Sequence, residues 1–193
     1  NISRTRSKCE YNIVNDFKDL SGLKLKLEKN KIEHHLCILN AGTMGSIASA
    51  FDINHEEFLD ALKVNVLANK IIIDWSILNG CKSFIGISSG AALKNYDGWL
   101  NYCVTKSSFR SMLLQYQKDI PKLNFKLISP GILRTEMNKK IKSVDVNKYP
   151  DMKKFHQTPA EEPQKAAELI FRKFSDYFKR EELEIDLRNE NEW

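Results

Sequence analysis

The chain has 193 residues, of which 42% are hydrophobic and 28% are charged, and this is the composition of one globular domain spanning residues 1–193. Its formal net charge of +5 is spread without a long basic run, so we expect mild attraction to anionic ligands and no nucleic-acid partner. Apolar stretches are interrupted too often to cross a membrane, as at positions 71–73, which lie between Lys70 and Asp74.

Cysteine and histidine spacing gives no sign of a metal site. The four cysteines, at positions 9, 37, 81 and 103, show neither CxxC nor Cys/His spacing, and His34 and His35 lack partners at ligand spacing. The first residues also lack the charged segment and apolar core of a secretory signal. The sequence therefore predicts a protein of the reducing cytoplasm without a metal.

Short apolar runs alternate with longer amphipathic segments along the chain. This alternation predicts an α/β fold in which helices cover both faces of a parallel sheet. The predicted strands cover about residues 11–15, 34–39, 83–87, 124–129 and 183–187.

The helices are marked by caps and breakers. Asn54 followed by Glu57 resembles a capping box and predicts a helix over about 54–79 that Gly80 can end. Two further helices are predicted, at about 99–119 and 161–178. Between them, the Lys-rich stretch 138–154 is most simply a solvated, mobile face, where a lid over a binding site is expected.

A tyrosine followed four residues later by a lysine places a phenol and an ammonium on one helix face, a pair suited to acid–base chemistry. The spacing occurs twice, at Tyr102–Lys106 and at Tyr149–Lys153. The second copy contains Pro150 and lies in the Lys-rich stretch, which argues against a rigid geometry. The first copy lies early in a predicted helix and is therefore favoured.

Ser88 and Ser89 follow a predicted strand shortly before Tyr102. Because ligands of open α/β sheets collect at the carboxyl ends of the strands, a serine hydroxyl there can face the phenol. The full set of signals, in chain order, is Asn40-Ala41-Gly42, Asn65, Ser88-Ser89, Tyr102, Lys106, Pro130-Gly131 and Thr135. This ordered set resembles the short-chain dehydrogenase/reductase family, and the segments 87–92 and 129–137 resemble its sepiapterin reductase and benzil reductase branch.

The resemblance implies a doubly wound Rossmann-type domain that transfers a hydride between NADP(H), or NAD(H) as the alternative, and the carbonyl of a small ketone or diketone. It implies that Ser89 binds the carbonyl oxygen, Tyr102 donates the proton, Lys106 holds the nicotinamide ribose and Asn65 serves a water-mediated proton relay. An ammonium at about 4 Å is expected to lower the pKa of Tyr102 from about 10 toward about 7.

The resemblance also implies binding residues for cofactor and substrate. Arg4, helped by Thr5 or Arg6, is expected to meet the 2′-phosphate of NADP, and Asp16 and Phe17 are expected to border adenine. The residues expected around nicotinamide and its ribose are Asn40, Ala41, Gly42, Tyr102, Lys106, Pro130, Gly131, Ile132 and Thr135. The residues expected to contact substrate are Ser89, Trp99 and Tyr102, with the segment 133–157 shaping the pocket.

The glycine-rich turn that cradles the cofactor phosphates in this family has no counterpart, because the first glycine is Gly22 and no GxGxxG occurs. The resemblance therefore begins at the family's second strand. Since the family's first strand lies at the centre of the sheet, its absence is expected to leave two neighbouring strands unpaired. We expect the sequence to be an N-terminally incomplete piece of a longer polypeptide.

Each residue also has a structural interpretation. Ser89 can be a turn cap, Asn65 a polar residue tolerated in a helix, Arg4 a solvated charge, and Trp99 a packing or dimer-contact residue. The alternative function is a non-catalytic binding or regulatory protein of the same fold without a competent cofactor site. An epimerase or dehydratase of the extended relatives is a third candidate, although the C-terminal part leaves little room for a larger substrate domain.

Self-association is expected from the same resemblance. The helices at about 55–79 and 99–119 are those that the family pairs in its dimers, so we expect a homodimer or homotetramer. Trp75 and Phe109 are the residues predicted to offer apolar surface there.

Overall fold

The computed structural model describes residues 1–3, 12–190 and 193 of the chain. The predicted 2′-phosphate residues Arg4, Thr5 and Arg6 lie outside the described residues. No helix in the described part of the chain is both long and apolar enough to cross a membrane.

All strand pairings among the described residues are parallel, and they form a two-stranded sheet in the order β1-β2 and a four-stranded sheet in the order β3-β4-β5-β6. The strands are β1 (Ile2–Ser3), β2 (Ile13–Val14), β3 (Leu36–Leu39), β4 (Ser83–Ile87), β5 (Asn124–Ser129) and β6 (Glu184–Asp186). The predicted strands are confirmed, and β4 and β5 match residue for residue. β6 is shorter than predicted because Asp186 caps a 3₁₀ turn at Leu187–Asn189.

Helices follow the strands as the alternation predicts. They are α1 (Leu20–Glu28), α2 (His55–Leu62), α3 (Ala68–Leu78), α4 (Leu100–Asp119), α5 (Glu136–Lys142), α6 (Lys153–Gln157) and α7 (Pro163–Lys179). A π-helical turn at Lys63–Leu67 joins α2 to α3, so the predicted long helix is one rod with a local widening. Gly80 ends this rod with a φ of 87°, a value that side chains other than glycine rarely adopt.

The predicted capping box at the start of α2 is half formed. The Asn54 side chain accepts a hydrogen bond from the Glu57 backbone N–H at 2.8 Å. The Glu57 carboxylate does not return to the Asn54 backbone, because it binds Ser46 instead. The cap prediction is thus right for Asn54 and wrong for Glu57.

Close packing against β4 fixes the position of α4. A Cβ atom on Gly86 would lie 2.5 Å from the Leu113 side chain, so glycine at this point lets the helix approach the strand. Phe109 packs into the same core and is 2% exposed, so the prediction that it offers apolar surface is wrong. Trp75 is half-buried against this core, and its indole N–H donates to the Asn30 carbonyl at 3.1 Å.

A groove of about 1180 Å³ lies between the two sheets. It is lined by β1 on one side and by every residue of β3 on the other. Both strands are sheet edges among the described residues, and they are the two strands that the sequence predicts to be unpaired. Ile38 of β3 is consequently 54% exposed, although it lies in a strand.

The Lys-rich stretch departs from its prediction. It forms α5, a 3₁₀ turn at Pro150–Met152 and α6, and its side chains Ile141, Tyr149 and Met152 are buried in one cluster with Trp99 and Tyr102. The interpretation of 138–154 as a solvated face therefore holds for its lysines but is wrong for these three residues.

Candidate active site

The candidate site lies where β4 ends and α4 begins. Ser89, directly after β4, accepts a hydrogen bond from the Ala91 N–H at 3.2 Å and so caps a 3₁₀ turn. The Tyr102 phenol, in the first turn of α4, lies close enough to the Ser89 hydroxyl for that hydroxyl to lower its pKa. The structure thus brings Ser89 and Tyr102 together as predicted, and the capping interpretation of Ser89 applies at the same time.

The Tyr102 phenol differs from the prediction in its acidity. Tyr102 is 7% exposed, and burial raises the pKa of its phenol because the phenolate loses hydration, while the nearby Ser89 hydroxyl opposes this shift. The expected lowering of this pKa by Lys106 is wrong. Desolvation is the largest influence, so the phenol is protonated at neutral pH.

The Lys106 ammonium lies one turn further along α4, 5.7 Å from the centroid of the Tyr102 ring. Its Nζ donates to the Ile87 carbonyl at 2.8 Å, and its side chain is almost fully buried without a carboxylate partner among the described residues. Burial therefore lowers the pKa of Lys106 to about 8. Because an ammonium has three N–H donors, the remaining donors are free to bind a ligand.

Asn65 occupies the π-helical turn between α2 and α3. Its side-chain oxygen accepts from the Thr43 N–H at 2.7 Å, and its amide donates to the Thr43 carbonyl at 2.8 Å and to the Thr105 hydroxyl at 2.7 Å. The side chain therefore ties the loop after β3 to α4. Single-turn π-bulges are frequent at functional sites, and this one sets the direction of Asn65.

Glu57 is a residue that sequence reasoning assigned only to a cap. Its carboxylate accepts hydrogen bonds from the Ser46 backbone N–H, from the Ser46 hydroxyl at 2.7 Å and from the Asn101 amide at 3.2 Å. The Ser46 bonds, with the nearby Lys140 and Asn101, hold the pKa of Glu57 below its usual value against the opposing effect of burial. Glu57 thus joins the loop after β3 to the residue immediately before Tyr102.

Apolar and aromatic side chains cover the open side of Tyr102. Trp99 packs edge-on against Tyr102 with ring centroids 5.6 Å apart, and the rings of Tyr96 and Phe155 each lie 5.0 Å from the Trp99 ring. Met152 is fully buried in this cluster. The predicted substrate residues Ser89, Trp99 and Tyr102 are therefore adjacent, and helices α5 and α6 close over them.

The groove between the sheets gathers five of the predicted cofactor residues, Asp16, Phe17, Asn40, Ala41 and Gly42. The groove meets the Tyr102 corner, by which we mean Ser89, Tyr102, Lys106 and Asn65, at Gly42. A Cβ atom placed on Gly42 would lie 3.5 Å from the Asn65 side-chain oxygen and 3.7 Å from Lys106 Nζ.

The predicted residues after β5 lie outside this groove's lining. Gly131 has a φ of 77°, the Ile132 carbonyl accepts from the Glu161 N–H at 2.9 Å, and the Thr135 hydroxyl accepts from the Asn138 N–H at 3.3 Å as the cap of α5. Pro130 directly follows β5, at the same sheet edge as Ser88 and Ser89. Ile132 and Thr135 therefore make local contacts, and their role at the nicotinamide stays a prediction.

Some of the residues in and beside the groove suit a nicotinamide dinucleotide. Lys106 offers buried, unused donors suited to ribose hydroxyls, next to Gly42. Asp16 and Phe17 line the groove as well, with Phe17 only 7% exposed. No group of three or more His, Cys, Asp or Glu side chains in the described part of the chain could hold a metal ion.

No family model matches the sequence. The chain is similar to an uncharacterised oxidoreductase of Schizosaccharomyces pombe, with 26% identity over 114 residues that cover 58% of this chain and 46% of that protein. It is also similar to a benzil reductase ((S)-benzoin forming) of Bacillus subtilis, with 26% identity over 129 residues that cover 62% and 53% of the two chains. The chain spans about half the length of these curated relatives.

Solved structures share the fold over nearly the whole chain. A short-chain dehydrogenase family protein of Francisella tularensis superposes with a TM-score of 0.79 and 22% identity, covering 96% of this chain and 85% of its own. A short-chain dehydrogenase/reductase of Saccharomyces cerevisiae superposes with a TM-score of 0.76 and 14% identity, covering 99% and 85%. The chain thus has an α/β Rossmann-type fold, and in that fold it is similar to these short-chain dehydrogenases.

Proposed function

We propose that the protein is an NADP-dependent oxidoreductase that reduces the carbonyl group of a small ketone or diketone. The observation that carries this proposal is the placement of the Ser89 hydroxyl beside the Tyr102 phenol, with the buried Lys106 ammonium 5.7 Å from the Tyr102 ring. A donor pair of this kind is suited to bind a carbonyl oxygen and to protonate it.

The chemistry divides between the cofactor and the chain. The reduced nicotinamide supplies a hydride to the carbonyl carbon. Ser89 holds the carbonyl oxygen by a hydrogen bond, and Tyr102 gives its phenolic proton to that oxygen as negative charge develops. Lys106 stabilises the resulting phenolate, and a proton from solvent restores the phenol, so the products are an alcohol and the oxidised cofactor.

The acidity of the two groups favours reduction over oxidation. Because burial raises the pKa of Tyr102, the phenol is protonated at neutral pH and ready to act as an acid. Because the pKa of Lys106 is about 8, its side chain is an ammonium at neutral pH and can stabilise the phenolate. Reductive turnover is therefore expected to fall as the pH rises through about 8.

The choice of cofactor and substrate has separate support. Preference for NADP rests on the basic residues at positions 4 and 6, and preference for a ketone or diketone rests on the similarity to the benzil reductase. The apolar, aromatic cover of Tyr102 suits an apolar carbonyl compound.

For assembly we propose a dimer through α4 and the π-helical turn, where Val104 and Leu67 are 37% and 41% exposed.

The test is the Tyr102→Phe variant, which keeps the ring and removes the proton donor. Benzil-dependent oxidation of NADPH is expected to fall by about 10³-fold, with an unchanged Kd for NADPH. Tyr116→Phe is the matched control, since it removes a phenol from the same helix that hydrogen-bonds Asp74 away from the site. Undiminished turnover in Tyr102→Phe would rule out the proposed donor, and no NADPH binding by the unaltered chain would favour a non-catalytic protein of this fold.

A further inference from the structure

Trp99 carries a buried donor that the proposed reaction does not use. The residue precedes α4, is 3% exposed, and packs its ring against Tyr102 in the aromatic cluster. Its indole Nε1–H is buried and has no hydrogen-bond partner among the described residues. Buried indole N–H groups are normally partnered, so this open donor requires an explanation.

A second tryptophan of the chain gives the contrast. The indole N–H of Trp75 is also part of a packed surface, but it donates to the Asn30 carbonyl at 3.1 Å. The fold therefore satisfies the indole that lies away from Tyr102 and leaves open the one beside it. An open donor is costly in an apolar cluster unless a ligand supplies the acceptor.

The surroundings of Trp99 restrict what that acceptor can be. The buried side chains of its cluster are apolar or aromatic, including Met44, Ala91 and Met152. Because no partner among the described residues lies within hydrogen-bond distance of the indole Nε1–H, a ligand can supply the acceptor. The ring centroids of Trp99 and Tyr102 are 5.6 Å apart, so a molecule whose carbonyl oxygen meets Ser89 and Tyr102 lies beside the Trp99 ring.

We infer that the Trp99 indole N–H is a third hydrogen-bond donor of the substrate site, beside Ser89 and Tyr102, and that it selects ketones that carry another acceptor oxygen on the carbon beside the reacting carbonyl. The inference rests on the proposed function and deepens it, because Trp99 changes from a wall of the pocket to a specificity-determining donor. The rings of Tyr96 and Phe155, each 5.0 Å from Trp99, make its surroundings aromatic.

The test compares two substrates and one variant. 1-Phenyl-1,2-propanedione and propiophenone share the aryl ketone, but only the first has the second carbonyl oxygen. Trp99→Phe keeps an aromatic ring and removes the N–H, so the ratio of kcat/KM for the dione to kcat/KM for propiophenone is expected to fall about tenfold, equivalent to about 1.4 kcal/mol. Equal losses for both ketones would overturn the inference, because they would indicate packing alone.

A second measurement does not depend on turnover or on the folding of the variant. Indole ¹⁵N–¹H spectra of the unaltered chain contain one resonance for each of its three tryptophans. The Trp99 resonance is the one missing from the spectrum of Trp99→Phe. If that variant does not fold, it is the resonance that remains unassigned after Trp75→Phe and Trp193→Phe. Adding the dione is expected to move this resonance downfield, and propiophenone much less, while the Trp75 resonance stays in place. An unmoved Trp99 resonance at saturating dione would overturn the inference.

The two measurements separate the inference from the proposed function. If the dione moves the Trp99 resonance but neither ketone is reduced, the donor is supported and the reductase proposal fails. If both ketones are reduced equally well by the unaltered chain and by Trp99→Phe, the reductase proposal stands and the donor role is wrong.

Discussion

The Tyr102 corner and the groove between β1 and β3 meet at Gly42. The side chains of the corner are held in place by their neighbours, whereas the strand edges of the groove are unpaired among the described residues. In the corner, the Ser89 hydroxyl lies beside the Tyr102 phenol, and hydrogen bonds to Thr43 and Thr105 hold the Asn65 side chain. In the groove, two strand edges face a volume of about 1180 Å³, and Ile38 remains 54% exposed.

The comparison teaches that the reacting groups and the cofactor contacts depend on different parts of the fold. The corner depends on the four-stranded sheet and α4, with α5 and α6 as cover. The groove depends on how the two sheets are placed, and its lining includes the predicted adenine residues Asp16 and Phe17. We therefore expect changes in the corner to alter turnover or substrate affinity, and a bound dinucleotide to alter mainly the groove.

The largest effect is expected from Lys106→Met, which removes the buried ammonium. Turnover is expected to fall by about 10² to 10³-fold, because the phenolate loses its stabilising charge. At pH 7 the free energy of unfolding is expected to rise by about 2 kcal/mol. Removing the buried charge raises it by about 3 kcal/mol, and leaving the Ile87 carbonyl without its hydrogen-bond donor lowers it by about 1 kcal/mol. Activity assays and urea unfolding measure the two effects. A lower free energy of unfolding in Lys106→Met would contradict the view that the buried ammonium destabilises the folded chain.

The pH dependence of stability sharpens the same point. The pKa of Lys106 is about 8 in the folded chain and 10.5 ordinarily, so between these values the unfolded chain holds a proton that the folded chain has released. The free energy of unfolding therefore gains about 3 kcal/mol from this group as the pH rises from 8 to 10.5. Below pH 8 the contribution is absent.

Cys37 acts in the opposite direction and must be separated from Lys106. Burial raises the pKa of the Cys37 thiol from 9.0 to about 11, so its contribution to stability is lost as the pH rises through that range. Urea unfolding at pH 7, 8 and 9 of the unaltered chain and of Lys106→Met isolates the lysine as the difference between the two curves. Parallel curves would show that Lys106 has an ordinary pKa.

A smaller effect is expected from Glu57→Gln, which weakens the junction between the loop after β3 and α4. The amide cannot accept all the hydrogen bonds from Ser46 and Asn101 that the carboxylate accepts. KM for the ketone is expected to rise about fivefold to tenfold with little change in kcat or in the Kd for NADPH, because the substrate side of the corner loosens. Glu56→Gln, on the exposed side of the same first helical turn, is the control, and equal effects in both variants would remove the special role of Glu57.

The sequence predicted the parts of this structure that local patterns encode. Apolar runs located β4 and β5 residue for residue, and Pro150 correctly argued against Tyr149–Lys153 as a rigid pair, since that segment divides between a 3₁₀ turn and α6. The order of Ser89, Tyr102 and Lys106 along the chain also predicted their meeting at one sheet edge.

What escaped prediction depends on tertiary packing. Tyr149 and Met152 lie among lysines without helical periodicity, so their burial against Trp99 is decided by the cluster that receives them. The raised pKa of Tyr102 follows from that burial, which charge spacing alone does not contain. The π-helical turn that contains Asn65 is likewise not indicated by the sequence around it. The same is true of the hydrogen bond between the Glu57 carboxylate and the Ser46 hydroxyl.

Fluorescence titration with NADPH is the most direct test of whether the groove and the Tyr102 corner together bind one dinucleotide. Trp75 lines the groove, so its emission reports on a nicotinamide or adenine ring placed there. We expect saturable quenching of tryptophan emission by NADPH, weaker quenching by NADH at the same concentration, and a higher Kd for NADPH in Lys106→Met. Unchanged emission at millimolar NADPH would show that the two regions do not form a dinucleotide site.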